Sequence, residues 1–157
     1  MFEQGIIDGV VIRPLRQFQD QRGWLIELYR EDELPPADRP AMAYISQTLS
    51  GVARGPHEHR EQTDVFAFVG PGDFKLYLWD TRPDSPTRGV KQTLVAGQSN
   101  HQAVVVPPGI IHAYKNISDV AGLVFNCPNR LYAGEGRREP VDETRHEDLA
   151  ESPYVLD

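Results

Sequence analysis

The sequence predicts an all-β domain, a barrel or sandwich, on three observations. Short runs rich in Val, Ile, Phe, Tyr and Trp recur at close, regular spacing along the 157 residues, which is how strands read in sequence. Glycine and proline, 13 of each, punctuate the gaps between the runs; they are the strongest local breakers. No stretch holds the 3.6-residue apolar period of a long helix. Strands so spaced and so punctuated build sandwiches and barrels.

Taken in order, residues 10–12 read as a first strand and 24–29 as a second, with a turn at 18–23 that would join them as a hairpin. Residues 30–40, with three prolines and six charged side chains, read as a surface loop. Further strands are expected at 43–48, 65–69 and 74–79, where Phe74, Leu76 and Leu78 fall in phase. Residues 81–89 form a rigid turn, because two prolines fix φ and the polar side chains bond locally. Strands at 91–96, 102–106, 113–116 and 123–126 complete the set. Phe66, Phe68, Tyr77, Trp79 and Tyr114 are assigned to the core, and Asp80, Arg82 and the Ser-Pro-Thr turn to structure. From Tyr132 on, charge dominates. Residues 133–157 are expected to be an irregular, solvated acidic tail with at most one helical turn near Glu147.

Length makes 1–157 a single domain with room for a core. There are 23 Asp and Glu against 16 Lys and Arg, with no basic cluster, so nucleic acid and anionic membrane are excluded as partners. An anionic small molecule stays open, since a few arginines can outweigh a net charge locally. The single Cys127 permits no intrachain disulfide and reads as a packed thiol of a reducing compartment. With no signal peptide or membrane-length apolar run, the expectation is a cytoplasmic protein.

The chemistry concentrates in residues 51–70. A Gly-Pro corner precedes His57 and His59, which on a strand would point to the same face. Downstream, Pro107-Pro108-Gly109-Ile110-Ile111-His112-Ala113-Tyr114-Lys115-Asn116 supplies a third histidine. Together these stretches resemble the two half-motifs of the cupin jelly-roll barrel, Gly-x5-His-x-His and Pro-x-Gly-x2-His-x3-Asn. Two histidines on a strand end can be mere polar residues met by water; the third, in its own motif, favours a shared pocket.

More specifically, the chain resembles the dTDP-4-dehydrorhamnose 3,5-epimerase family from about Gly9 to Tyr132. The marks are Phe18-x-Asp20-x-Arg22-Gly23 with Glu27, Gly51-Val52-x-Arg54-Gly55-x-His57, Asp80-x-Arg82-Pro83-x-Ser85-Pro86-Thr87-x-Gly89, Pro107-Pro108-Gly109-x2-His112, and Tyr132. The resemblance implies a cupin-like barrel acting on a nucleotide-diphosphate 4-keto-6-deoxysugar without a cofactor. It implies that His57 removes the acidic proton next to the ketone, supported by a carboxylate for which Asp148 and Asp142 are candidates. It implies that Arg54 pairs with the diphosphate, that Arg22, Glu27 and Gln47 help hold the nucleotide, and that Tyr132 stands beside the sugar. It also implies a homodimer with residues 1–30 at the interface.

The departures carry information too. The lysine that stabilises the family's enolate falls on Thr63, and the family's proton-donating tyrosine on Phe125, which has no proton to give. His59 replaces a glutamine. These changes favour single-carbon epimerisation or a related keto-sugar isomerisation over double epimerisation. Two alternatives stand beside this reading. One is a nucleotide-sugar-binding relative without turnover. The other is a cupin enzyme using a divalent metal on His57, His59 and His112. For that metal the expected carboxylate position is Thr63; Asp64 is one residue out of phase and assigned to the other strand face. Glu61 is in phase with the histidines but nearer than the pattern prefers.

Overall fold

The computed structural model describes residues 1–157. Thirteen strands are formed: β1 (Glu3–Gln4), β2 (Val11–Pro14), β3 (Gln17–Asp20), β4 (Gly23–Ile26), β5 (Tyr44–Thr48), β6 (Ala53–Glu58), β7 (Asp64–Phe68), β8 (Asp73–Asp80), β9 (Val90–Gly97), β10 (Gln102–Val106), β11 (Ile110–Asn116), β12 (Gly122–Asn126) and β13 (Thr144–Arg145). One sheet runs β1-β9-β8-β11-β6-β13 and the facing sheet β2-β10-β7-β12-β5. The result is the cupin-like jelly roll that the motifs implied. Apart from 3₁₀ turns there is no helix, and none is long and apolar enough to cross a membrane.

Strand alternation places the core. On β8, Phe74, Leu76 and Leu78 point inward, meeting Phe66 and Phe68 of β7, Val104 and Val106 of β10, and Val124 of β12. At about 1.5–3 kcal/mol for each large side chain withdrawn from water, this layer dominates the stability of the barrel. Tyr77 and Trp79, the opposite phase of β8, are equally buried, because Phe2, Tyr154 and Leu156 cover that outer face. The tail is therefore not a solvated appendage. Its apolar residues pack on the large sheet, and Lys75 reaches Asp157 at 2.9 Å. The turn expected near Glu147 is non-helical, and a 3₁₀ turn lies instead at Glu135–Arg137.

Two expectations about pairing need correction. The first strand does not form a hairpin with the second. β2 pairs with β10 in the small sheet, and the hairpin is β3–β4, with Gln17 opposite Ile26. Its tight turn is closed by Asp20, whose carboxylate accepts the Arg22 amide at 2.8 Å, so the stretch read as a turn is itself half strand.

The second correction concerns Asp64. β6 ends at Glu58 and β7 begins at Asp64, so strand alternation does not carry across the intervening loop. That loop is folded tightly onto Asp142, whose carboxylate accepts the amides of Arg60, Glu61 and Gln62 at 2.9, 2.9 and 3.0 Å. The phase is reset, and Asp64 rather than Thr63 turns toward the histidines.

The turn at 81–89 is structural, as expected. Asp80, fully buried, accepts hydrogen bonds from Arg82, Ser85 and Thr87. Charge-assisted bonds of this kind contribute about 1.5–3 kcal/mol each when a partner is deleted. Asp80→Asn is expected to lower stability by about 2 kcal/mol, read as a lower urea midpoint at unchanged slope. Asp142→Ala is expected to keep the fold while amide exchange at residues 60–62 speeds by about ten- to a hundredfold.

Candidate active site

The site is a cavity of 1050 Å³ at one mouth of the barrel. Its wall carries His57 and Arg54 from β6, Tyr114 from β11, Tyr44 and Ser46 from β5, and residues 128–147 of the connection leading to β13. β6 and β11 are paired with His57 opposite His112, and a register shift follows before Tyr114 meets Arg54. The two strands come this close because position 55 is glycine. A Cβ there would lie 2.6 Å from the His112 carbonyl and 3.1 Å from His57 Nδ1. Its φ of +82° also suits glycine alone.

The three histidines converge as the motifs predicted, with ring centroids 4.5 Å apart for His57–His112 and 5.6 Å for His59–His112. Asp64, 1% exposed, lies among them: its Oδ2 is 3.2 Å from His59 Nε2 and 3.4 Å from His112 Nε2. Neither contact has hydrogen-bond geometry, and Asp64 Oδ2 and His112 Nε2 are buried without a partner. Asp64 Oδ1, by contrast, accepts Asn126 Nδ2 at 2.8 Å and Gln62 Nε2 at 2.9 Å.

The charges follow from this packing. Burial first, then the neighbouring imidazoles of His112 and His59, push His57 down to about 2, so it is neutral. Burial also lowers His112. Burial opposes charge on His59 as well, but the Asp64 carboxylate and the Asp142 carbonyl outweigh it and raise His59 to about 8. For Asp64, burial is overcome by the histidines and by the Asn126 bond, leaving the carboxyl ionised, down to about 2.

The other expected residues divide. Arg54 lines the cavity, held by Thr48 Oγ1 at 3.0 Å and the Gln47 carbonyl at 2.7 Å. No carboxylate neutralises it, whereas Arg130 and Arg145 on the same wall are paired with Glu61 and Glu143. Tyr132 lines the cavity and is 58% exposed. Gln47 itself stays outside the wall. Arg22 is at the exposed tip of the β3–β4 hairpin, bound to Asp20, and Glu27 faces Arg30 at 3.7 Å. Neither reaches this cavity. Asp148 is exposed and off the wall, and no carboxylate hydrogen-bonds His57; Asp142 is spent on the 60–62 amides. Glu61 is exposed and paired with Arg130.

No lysine lines the cavity. Thr63 faces away, donating to Asp38 Oδ1 at 3.0 Å. Phe125 is also off the wall, because on β12 the inward residues are Val124 and Asn126, both buried. Two phenols that the sequence reading did not place at the site, Tyr44 and the core-assigned Tyr114, do line it. Tyr44 bonds Asn126 Nδ2 at 2.9 Å, and burial pushes its phenol up to about 12. The Tyr114 hydroxyl meets Ser46 Oγ at 2.8 Å. Their common signal in sequence is a tyrosine in the inward phase of a strand, indistinguishable there from core.

Comparison with known proteins agrees with this geometry. Residues 4–143 match the family model described as dTDP-4-dehydrorhamnose 3,5-epimerase. The chain is 39% identical over 127 residues to the probable low-salt glycan biosynthesis epimerase Agl13 of Haloferax volcanii, covering 80% of this chain and 81% of that one. It is 32% identical to the spore coat polysaccharide biosynthesis protein SpsL of Bacillus subtilis, over 73% of this chain and 74% of the relative. Among solved structures it is similar to NovW, a 4-keto-6-deoxy sugar epimerase from the novobiocin gene cluster of Streptomyces spheroides. That match has a TM-score of 0.77 and 26% identity, over 99% of this chain and 77% of the other. In sequence and in fold, this chain belongs to the dTDP-4-dehydrorhamnose 3,5-epimerase family.

Proposed function

We propose that the chain catalyses epimerisation, or a related isomerisation, at a single carbon of a nucleotide-linked 4-keto-6-deoxysugar, with His57 removing the proton next to the ketone. The observation that carries this reading is a neutral imidazole in the cavity wall that makes no hydrogen bond to the protein and so keeps a lone pair for substrate. An anionic ligand beside a buried imidazole raises its basicity. Arg54, unpaired and fixed from behind, suits a diphosphate. Tyr132, Tyr44 and Tyr114 are the phenols within the same cavity that can return a proton. The absence of a lysine from the wall supports epimerisation at one carbon rather than at two.

The second reading, a relative that binds nucleotide-sugar without turnover, draws on Thr63 and Phe125 at the family's lysine and tyrosine positions. Proton NMR of dTDP-4-keto-6-deoxyglucose in deuterated buffer separates the two. Deuterium is expected to enter at C3 or C5 with the protein present, and about 10²- to 10⁴-fold more slowly with His57→Ala. Arg54→Ala is expected to weaken binding about ten- to a hundredfold. Binding without exchange would establish the non-catalytic reading.

The protein is further proposed to be a cytoplasmic homodimer. The β3–β4 hairpin exposes Phe18, Trp24 and Leu25 at 43, 56 and 60%, an apolar surface that a second copy would cover. Arg22 and Glu27 on this arm stand clear of their own cavity, which suits delivery to the partner's. Buried Cys127 fits a reducing compartment. A Trp24→Glu, Leu25→Glu double variant is expected to elute as monomer on light-scattering chromatography, with the parent protein at twice its mass; a monomeric parent would remove the dimer.

A further inference from the structure

We propose that His59, His112 and Asp64 form the core of a binding site for one divalent transition-metal ion, with His57 at its edge, where the ligand atoms of the three histidines all lie within 4.8 Å of one another. The argument begins with hydrogens. Carbonyl oxygens only accept, so the bonds from His59 Nδ1 to the Asp142 carbonyl and from His112 Nδ1 to the Ile110 carbonyl place N–H on both Nδ1 atoms. Each Nε2 is then the free end of its ring, and both lie close to the same carboxylate oxygen, at 3.2 and 3.4 Å. With both imidazoles neutral, three electron-rich atoms would converge in a buried space, two of them without any hydrogen-bond partner.

A proton on His59 would relieve one of these contacts. It leaves His112 Nε2 presenting a lone pair to Asp64 Oδ2 at 3.4 Å, in a place where a buried charge left unmatched is strongly unfavourable. One cation at the centre relieves both. The spacing fits it: ligands at about 2.0–2.1 Å from a tetrahedral ion stand about 3.3 Å from one another, against the 3.2 and 3.4 Å found. The surroundings fit as well. Both imidazoles are oriented through Nδ1 by a backbone carbonyl, and the carboxylate by Asn126 and Gln62, which is the support that metal ligands require. Two imidazoles and one carboxylate with an open position suit Fe(II), Zn or a neighbouring first-row ion.

The assignment extends the sequence-based choice of ligands: the three histidines do converge, and Asp64 joins them because the loop resets the strand phase. In the epimerase reading, on which this role but not the binding itself rests, the ion would supply the positive charge that an enolate needs and that no lysine provides.

The test uses the chelator-treated protein titrated with Co²⁺ alone, followed by its visible ligand-field absorption, with metal content of the untreated protein measured in parallel. One Co²⁺ per chain is expected. Affinity should fall at least about a hundredfold in Asp64→Asn and His112→Ala, and about tenfold in Gln62→Ala, a partly exposed position that leaves the core intact. No ligand-field band in the parent protein overturns the proposal, as does equal binding by Asp64→Asn, or a ¹⁵N spectrum showing His59 doubly protonated and unmoved by Co²⁺. Substrate exchange is read separately. Its absence from a protein that binds Co²⁺ in this pattern would strike the epimerase reading and leave the metal site standing.

Discussion

A carboxylate with 1% exposure sits at the centre of the histidine cluster, and the arrangement around it follows from the need to keep its charge matched. Placing an ion in a protein interior costs several kcal/mol unless partners compensate. Asp64 is met on one oxygen by two amide donors and on the other by two imidazoles. Those imidazoles are in turn fixed by backbone carbonyls, one of them from the chain's last thirty residues. Remove any link and the others lose their reason to be where they are.

The barrel makes this possible by bringing strands distant in sequence into register. β6 and β11 set His57 opposite His112, while β7, across the interior, contributes Asp64 from its first residue. The apolar layer stops there. Phe66 packs edge-on against His112 with ring centroids 5.5 Å apart, so the last core aromatic borders the first polar group. A dry floor beneath a polar cluster strengthens each electrostatic contact within it.

Much of this was legible in the sequence. Alternation along β8 gave the core phase, the prolines and hydroxyls of 81–89 gave the turn, and two histidine motifs gave the site. What escaped was the information held outside regular strands. Asp64 was assigned to the wrong face because period-two reasoning was carried across a loop whose geometry is set by Asp142, some eighty residues later. Phe125 drew attention by its motif position, although strand phase turns it outward and leaves Asn126 and Tyr44 to line the interior. The tail was read as solvated by its charge, while its few apolar residues, Tyr154 and Leu156, decide where it lies.

The path of residues 128–157 separates what the cavity stands on from what encloses it. The floor belongs to interior strand positions, where a change of one side chain disturbs the packed layer. The rim comes from a segment with little regular structure, anchored at Asp142, at β13 and at Tyr154. Between those anchors many of its residues line the cavity. Exchange of rim residues in such an architecture can reshape what the cavity admits while the packed layer beneath is preserved, without rebuilding the barrel.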